Sequence, residues 1–534
     1  MNFEIIIKNG TIIDGTGNDR YHTDIGINNG KIDVLANLSN STSKTNIDAT
    51  GLVITPGFID MHTHSDVSLL DNPEGESKIF QGITTEVIGN CSYSPFPVGK
   101  SGPFTYSPYV IAPPNGRNDN NDNKQWNDLN GWANFHEARG IGLNLIPQVG
   151  QSALQYAVGA TEKRSVYKEE MKQMQTLLIE SIEQGAFSIT TGLSLSPSGY
   201  MSTDELITLC RVLKKYTNVF YATHAREIND NGIQEAIKIG LDAEIPVQYS
   251  HIALVDPDQH GKAAEILQIF EDATTKGLDI TYDVYPYTAA QGGLNQSIPG
   301  WAQSGTLNDY MTRLRSTKIR KKIRQEVEKG VLGTPSWNSW IIANWPHQNA
   351  DQIIGKSVHE IAIDRGIDPA ETVLQLEEES DGTVSAIIHN RTEEDLQYFL
   401  THPLGMYGSD GVAISPIGKY SNEKHHPRFY GTYPRILGHY VREKSIITLE
   451  QAVHKMTGKP AKRLNLKNRG VIKERAIADI TIFNSETISD KATFKNPHIL
   501  SKGVMHVLVN GIPVISDEKH TKSLPGKILR RNSE

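Results

Sequence analysis

Cysteine is nearly missing from this chain: 534 residues include two, Cys91 and Cys210. Two thiols make no disulfide framework, so burial rather than cross-linking must hold the fold. Long apolar runs are missing as well. No stretch reaches the roughly 18 apolar residues that a membrane helix needs. The start, Met1-Asn2-Phe3-Glu4-Ile5-Ile6-Ile7-Lys8, lacks the basic segment and apolar run of a secretory signal. A positive excess is also absent: 53 Lys and Arg stand against 61 Asp and Glu, a formal charge of −8. That balance argues against a nucleic-acid backbone or an anionic membrane as partner, while a local basic pocket can still hold a small anion. The expectation is a cytoplasmic protein acting on a small molecule, long enough for one large barrel with an appended unit.

Both ends read as β structure. In residues 1–55, Asn9-Gly10 and Asn29-Gly30 separate β-rich runs, and such pairs mark hairpins. Residues 466–520 have the same texture, with runs at 478–483, 504–509 and 512–515 around Asn510-Gly511. One small β domain built from both termini is predicted. Residues 56–465 alternate instead. Apolar runs at 83–88, 143–149, 187–190, 219–222, 247–249, 278–282, 384–388 and 406–408 are separated in several places by helix-like segments. The helical stretches are 171–184, 203–215 with Thr203 as cap, 232–241 and 263–276. Seven or eight strand–helix units predict a parallel (β/α)8 barrel of TIM type, with its chemistry at the C-terminal strand ends. Residues 102–127, 291–348 and 414–433 read as elaborations. The second, with Trp301, Trp337, Trp340 and Trp345, is a candidate lid. Residues 521–534 read as a tail that frays after Lys527.

Polar residues collect where the apolar runs stop. The first strand ends in Asp60-Met61-His62-Thr63-His64, and side chains at i and i+2 share one face of a strand. A His-x-His pair alone is weak, because 18 His give roughly 0.6 such pairs by chance. The next run ends in Cys91, later ones in His224 and His251, and one near the end leads through Gly408-Ser409 to Asp410. Singly, each has a plainer reading: a His as a bonded polar group, the Cys as core, the Asp as a turn residue. Cys210, inside a helical pattern, keeps the core reading. Jointly, at the rim of one barrel, a thiolate with imidazoles suits zinc. Five such ligands and a carboxylate exceed one tetrahedral site and suffice for a tight site and a weaker one.

Pro56-Gly57-Phe58-Ile59-Asp60-Met61-His62-Thr63-His64 resembles the first-strand signature of the amidohydrolase superfamily. Gly89-Asn90-Cys91, Thr223-His224-Ala225-Arg226, Asp283-Val284-Tyr285-Pro286-Tyr287, Gly408-Ser409-Asp410-Gly411 and His426-Pro427-Arg428 resemble the N-acyl-D-amino-acid deacylase (D-aminoacylase) branch. The resemblance runs from about residue 5 to 515. It implies a metal-dependent barrel carrying a β-sandwich made from both termini. It further implies that Cys91, His224 and His251 hold the tight zinc, that His62 and His64 hold a weaker second metal, and that Asp410 is the catalytic carboxylate. Arg428 is then expected to grip the substrate α-carboxylate, which suits a bidentate guanidinium, with Tyr285 adding a hydrogen bond. Many binuclear relatives use a carboxylated Lys after the fourth strand; Thr190-Thr191-Gly192-Leu193-Ser194 offers none, and Cys91 stands in.

The implied reaction is hydrolysis of the linear amide of an N-acyl-D-amino acid. Rival readings are a cyclic-amide hydrolase of the dihydroorotase or hydantoinase kind, and a scaffold that kept the barrel without the chemistry. Two departures bear on the substrate. Ile252-Ala253-Leu254 follows His251 where relatives often place a polar residue, and Ala289-Ala290-Gln291 replaces a substrate-binding Ser. Apolar or modified acyl amino acids, rather than acidic ones, are expected on that basis.

Overall fold

The computed structural model describes residues 1–99, 126–330 and 336–531. The loop expected over 102–127 lies outside the described residues except for its last two positions. The apolar runs of the middle form parallel strands in two sheets. One, of three strands, pairs Phe58–Asp60, Ile83–Ile88 and Asn144–Pro147. The other, of six, runs Val149–Gly150, Ser188–Gly192, Phe220–His224, Val247–Tyr249, Ile280–Val284 and Gly405–Tyr407. Only Gln148 separates Asn144–Pro147 from Val149–Gly150. Ile83–Ile88 is buried at every position, as a strand covered on both faces must be. Where the first strand ends, hydrogen bonds tie it to the end of the last: Asp410 N to His62 O at 2.8 Å and His64 N to Gly411 O at 2.8 Å.

Helices pack around these strands by their apolar stripes. Lys168–Glu183 buries Met174, Leu178 and Ile182, the spacing read from sequence. Thr203–Cys210 starts one residue after its cap, which is Ser202 and not Thr203. Ser202 Oγ accepts from Glu205 N at 3.3 Å, and the Glu205 carboxylate accepts from Ser202 N at 2.8 Å. That reciprocal pair needs a Glu at the third helical position, which only the Ser202 register supplies. Cys210 is fully buried in the large apolar cluster between strands and helices, as expected. Among the described residues no helix is long and apolar enough to cross a membrane.

Four sequence readings need correction. The run 384–388 is no parallel strand: Ser385–His389 is the centre of an antiparallel sheet between Ala289–Gly293 and Trp340–Ile342. A short apolar run between turns looks the same in either setting. The elaboration expected over 291–348 accordingly extends much further, with an apolar cluster of its own from Leu294 to Ile388 on which Trp301, Trp337 and Trp345 pack. The tail does not fray after Lys527. Leu145 N donates to Lys527 O at 2.9 Å, Leu529 N donates to Leu145 O at 2.8 Å, and Ile528 and Leu529 are buried. Two adjacent apolar residues outweigh the charge that follows them. The polar loop read over 414–433 is a loop at its start, but Arg428–Arg435 is a buried helix.

The termini supply two further sheets, one of four strands and one of seven. In the larger, Val53–Pro56 pairs antiparallel with Ile480–Phe483, joining the two ends of the chain. Ile5, Ile7, Ile25 and Ile27 from one end share an apolar cluster with Ile480, Ile482 and Leu508 from the other.

Candidate active site

The strands deliver their polar residues at or just past their C-terminal ends: His224 closes Phe220–His224, and His62, Cys91, His251 and Asp410 lie two or three residues beyond Phe58–Asp60, Ile83–Ile88, Val247–Tyr249 and Gly405–Tyr407. Cys91, Ser92, His251 and Asp410 have φ of 50°, 72°, 35° and 47°. Left-handed backbone at residues with a Cβ costs energy and persists where the surroundings enforce it. Gly408 is a related constraint: a Cβ there would lie 2.6 Å from His62 Cβ, so only glycine lets the last strand pass the first.

The side chains converge. Cys91 Sγ lies 3.3 Å from His62 Nε2, 3.4 Å from His251 Nε2 and 3.7 Å from His224 Nδ1, and the last two nitrogens are 2.9 Å apart. Bonds of about 2.1 Å to nitrogen and 2.3 Å to sulfur put tetrahedral zinc ligands about 3.4–3.6 Å from one another. The sulfur–nitrogen spacings meet that requirement, and the shorter nitrogen pair asks for a narrowed angle. His62, His64 and Cys91 form a second, overlapping group in which all donor atoms fall within 4.8 Å. Asp410 stands on the His64 side, its Oδ1 3.1 Å from His64 Nε2 and 3.7 Å from His62 Nε2. The donor set therefore fits a soft divalent ion, with room for a second.

Electrostatics agree. Burial holds the imidazole of His224 down at about 4 and that of His251 well below the usual range, so both present lone pairs. Burial pushes the Cys91 thiol up to about 11; a bound dication reverses this and makes the thiolate. Burial would also raise Asp410, but the Arg428 guanidinium 3.0 Å away and His64 hold it well below the usual carboxylate range. Asp410 is thus an ionised carboxylate at the edge of the donor cluster.

The rings are oriented from behind. Asp283 Oδ1 is 3.1 Å from His62 Nδ1 and accepts from His251 N at 2.8 Å, while Oδ2 accepts from Gln248 Nε2 at 2.9 Å. A proton on His62 Nδ1 leaves Nε2 for a metal, the usual way a carboxylate fixes a ligand tautomer. Ser194 Oγ, 2.6 Å from His224 Nε2, does the same for His224 Nδ1. Sequence reasoning missed both partners. A lone Asp within Asp283-Val284-Tyr285 gave a signal only in that it ends an apolar run; Ser194 gave none. Below the rim, Lys78 Nζ is 3.1 Å from Asp60 Oδ2, 3.1 Å from Glu86 Oε1 and 2.6 Å from Ser409 Oγ. This buried cluster pins the two strand ends that carry His62 and Asp410.

Arg428 is fully buried. Its Nη2 donates to Asp410 Oδ2 at 3.0 Å and to Gln291 O at 3.4 Å. Gln291 accepts from His426 N at 2.7 Å through Oε1, so the residue read as a missing serine anchors the loop that carries Arg428. The Tyr285 ring lies 4.5 Å beneath the Arg428 guanidinium carbon. Its hydroxyl is buried with no hydrogen-bond partner among the described residues, which is the state of a group that serves a ligand.

The amidohydrolase family signature matches residues 45–134 and 408–515. The chain is 30% identical to a D-aminoacylase of Alcaligenes xylosoxydans xylosoxydans, over 99% of this chain and 98% of that one. It is also 30% identical to an N-acyl-D-aspartate deacylase of the same organism, over 98% and 95% of the two chains. The crystal structure of an N-acyl-D-glutamate deacylase from Bordetella bronchiseptica, complexed with zinc and a phosphonate mimic of the tetrahedral intermediate, superposes with a TM-score of 0.83 at 28% identity, covering 99% of this chain and 100% of that one.

Proposed function

Because the chain belongs to the D-aminoacylase family of amidohydrolases, hydrolases of linear amide bonds, we propose that it cleaves N-acyl-D-amino acids to a carboxylate and a free D-amino acid with zinc as cofactor. The observation that carries this reading is the convergence of Cys91, His224 and His251 beside His62, His64 and an ionised Asp410. Cys91, His224 and His251 are the tight ligands, and His62 and His64 with Cys91 form the weaker site. A zinc ion held by these residues would supply Lewis acidity for the amide carbonyl and for water.

The chain's own groups do the rest. Asp410 takes a proton from the attacking water and returns it to the departing nitrogen, a role worth about 10²–10⁴ in rate. Its pairing with Arg428 keeps it ionised and a weak base. A substrate α-carboxylate competes for that guanidinium, and Asp410 becomes more basic when substrate arrives. Tyr285 Oη supplies a hydrogen bond to the same carboxylate or to the carbonyl oxygen. The parallel strands act as one closed (β/α)8 barrel over 56–465, supported by the bonds from His62 O and His64 N to the last strand. The sheets of 1–55 and 466–520 act as a β-sandwich, supported by their common apolar cluster.

The test is metal analysis paired with turnover of matched N-acetyl-D- and N-acetyl-L-amino acids, with a hydantoin and a dihydropyrimidine as cyclic controls. About one tight zinc per chain and D-selective release of amine are expected. Preference for the cyclic amides, or turnover untouched by removal of the metal, would refute the reading.

A further inference from the structure

Two guanidinium groups share the Tyr285 ring. The Arg428 carbon is 4.5 Å from its centroid and the Arg391 carbon 4.7 Å. They differ in what balances them. Arg428 is fully buried and has Asp410. Arg391, where the chain leaves the inserted sheet after Ser385–His389, is half-buried. It has no ion pair with a described carboxylate, and its Nε is shielded from water with no hydrogen-bond partner among the described residues. The nearest acids in sequence are committed elsewhere. Glu393 accepts from Gln397 Nε2 at 3.2 Å and from Tyr440 Oη at 3.3 Å. Asp395 accepts from Gly261 N, Ala263 N and Thr392 Oγ1.

A guanidinium carries five donors and no acceptor, and shielding it without an anion is costly. Like charges on one ring add to that cost. Arg391 also stands beside the catalytic groups, because the Tyr285 ring it shares lies against the Arg428 that pairs with Asp410. Once the substrate α-carboxylate takes Arg428 from Asp410, and Asp410 serves the attacking water, an ordinary N-acyl amino acid has no second carboxylate left for Arg391.

Resting on the deacylase reading above, we infer that Arg391 binds a second carboxylate of the substrate, so that the preferred substrates are N-acyl-D-amino acids bearing two carboxylates. The second carboxylate sits either on the amino-acid side chain or at the far end of the acyl group. Either source gives the same charge-assisted, two-pronged contact. Ile252 and Ala253, which pointed to apolar side chains, are buried and compatible with the methylenes of an acidic side chain.

The experiment compares zinc-loaded wild type, R391M and R391K on N-acetyl-D-glutamate and N-acetyl-D-aspartate, their neutral partners N-acetyl-D-glutamine and N-acetyl-D-asparagine, and N-succinyl-D-methionine beside N-acetyl-D-methionine. Wild type is expected to favour at least one dicarboxylate over its neutral partner by about 10²-fold or more in kcat/KM, since a site built around a charged pair penalises the substrate that leaves it unpaired. R391M should lose most of that preference through KM, keep its zinc, and lose at least about tenfold less on N-acetyl-D-methionine than on the favoured dicarboxylate, with R391K in between. A gain confined to the succinyl substrate puts the second carboxylate on the acyl group, and one confined to aspartate or glutamate puts it on the side chain; both support the inference. A uniform loss over all substrates, or a wild type that prefers the neutral partners, overturns it. Absence of turnover on every N-acyl-D-amino acid overturns instead the deacylase reading beneath it.

Discussion

Asp283 carries no proposed chemistry of its own, so Asp283→Asn separates orientation of the ligands from identity of the ligands. The carboxylate is 1% exposed, and its two oxygens serve His62 Nδ1, His251 N and Gln248 Nε2. Asparagine keeps one acceptor. With that oxygen toward His62 and His251, the new amide nitrogen faces Gln248 Nε2, donor against donor. Turning Gln248 over moves the conflict to Thr281 Oγ1, which already accepts from Arg463 Nε at 2.9 Å and Nη2 at 2.7 Å. One buried donor is stranded in either arrangement, at about 1–3 kcal/mol. The charge that polarises His62 is lost as well. Partners of this kind are worth about 10–100-fold in metal affinity, or about 1.4–2.8 kcal/mol. The assay is zinc affinity by competition with a chelator of known strength, with the melting temperature of the metal-free protein measured alongside. A weakened site in a folded protein is expected. Zinc affinity within twofold of wild type would refute the claim that Asp283 sets the geometry of the centre.

Cys91→Ala should lose tight zinc, whereas Asp410→Asn should keep it while turnover falls by about 10²-fold or more; metal analysis beside a rate assay decides, and near-normal turnover of the Asn variant would remove Asp410 from its role. Burial pushes Glu377 in the inserted unit up to about 8, so the folded chain retains a proton that the unfolded chain gives up near its ordinary value. Stability from this group is full below about 4.5 and declines as pH rises toward and through 8. Glu377→Gln, neutral throughout, should gain melting temperature on wild type steadily from pH 5 to pH 8.5, and parallel curves would count against it. Deleting residues 528–534 removes two buried aliphatic side chains, Ile528 and Leu529, at about 1.5–3 kcal/mol each. The melting temperature should fall by several degrees, and an unchanged value would show that the tail contributes no packing.

His62, His64, Cys91, His224, His251 and Asp410 were legible because a polar residue directly after an apolar run is conspicuous, and the structure brings all six together. Their supports were not legible. Asp283 reaches His62 across 221 residues of chain, and nothing local in Asp283-Val284 distinguishes an orienting carboxylate from one that faces solvent. Arg391 lies among Thr392, Glu393 and Glu394, where a charged loop before a helix is the ordinary reading. The strand order failed at one point for a related reason. Ser385–His389 satisfies the pattern of a buried parallel strand, but its neighbours are set by the pairing of Ala289–Gly293 with it, a non-local fact. Ile528 and Leu529 were discounted because two apolar residues beside Arg530 and Arg531 carry no period.

The buried charges beneath the centre explain how so polar a cluster can be shielded from solvent. Asp60, Glu86, Asp283 and Asp410 are all at most 4% exposed, and among the described residues the fully buried lysine and arginine near them are Lys78 and Arg428. Acid exceeds base in a region where an unbalanced charge is expensive. Part of the excess is relieved by protonation. Burial raises Glu86 and pushes Asp66 up to about 8. A divalent ion relieves it more completely, and it does so at the point where the left-handed turns at Cys91, His251 and Asp410 aim their side chains. The acids that hold the strand ends together thus also create the potential that draws the metal. The strain at those turns is offset by the same network, through Asp410 N on His62 O and Ser409 N on Asp60 Oδ1. Assembly of the rim and affinity for the ion are therefore one property of the fold: a change that loosens the Lys78 cluster should weaken metal binding although none of its members touches the ion.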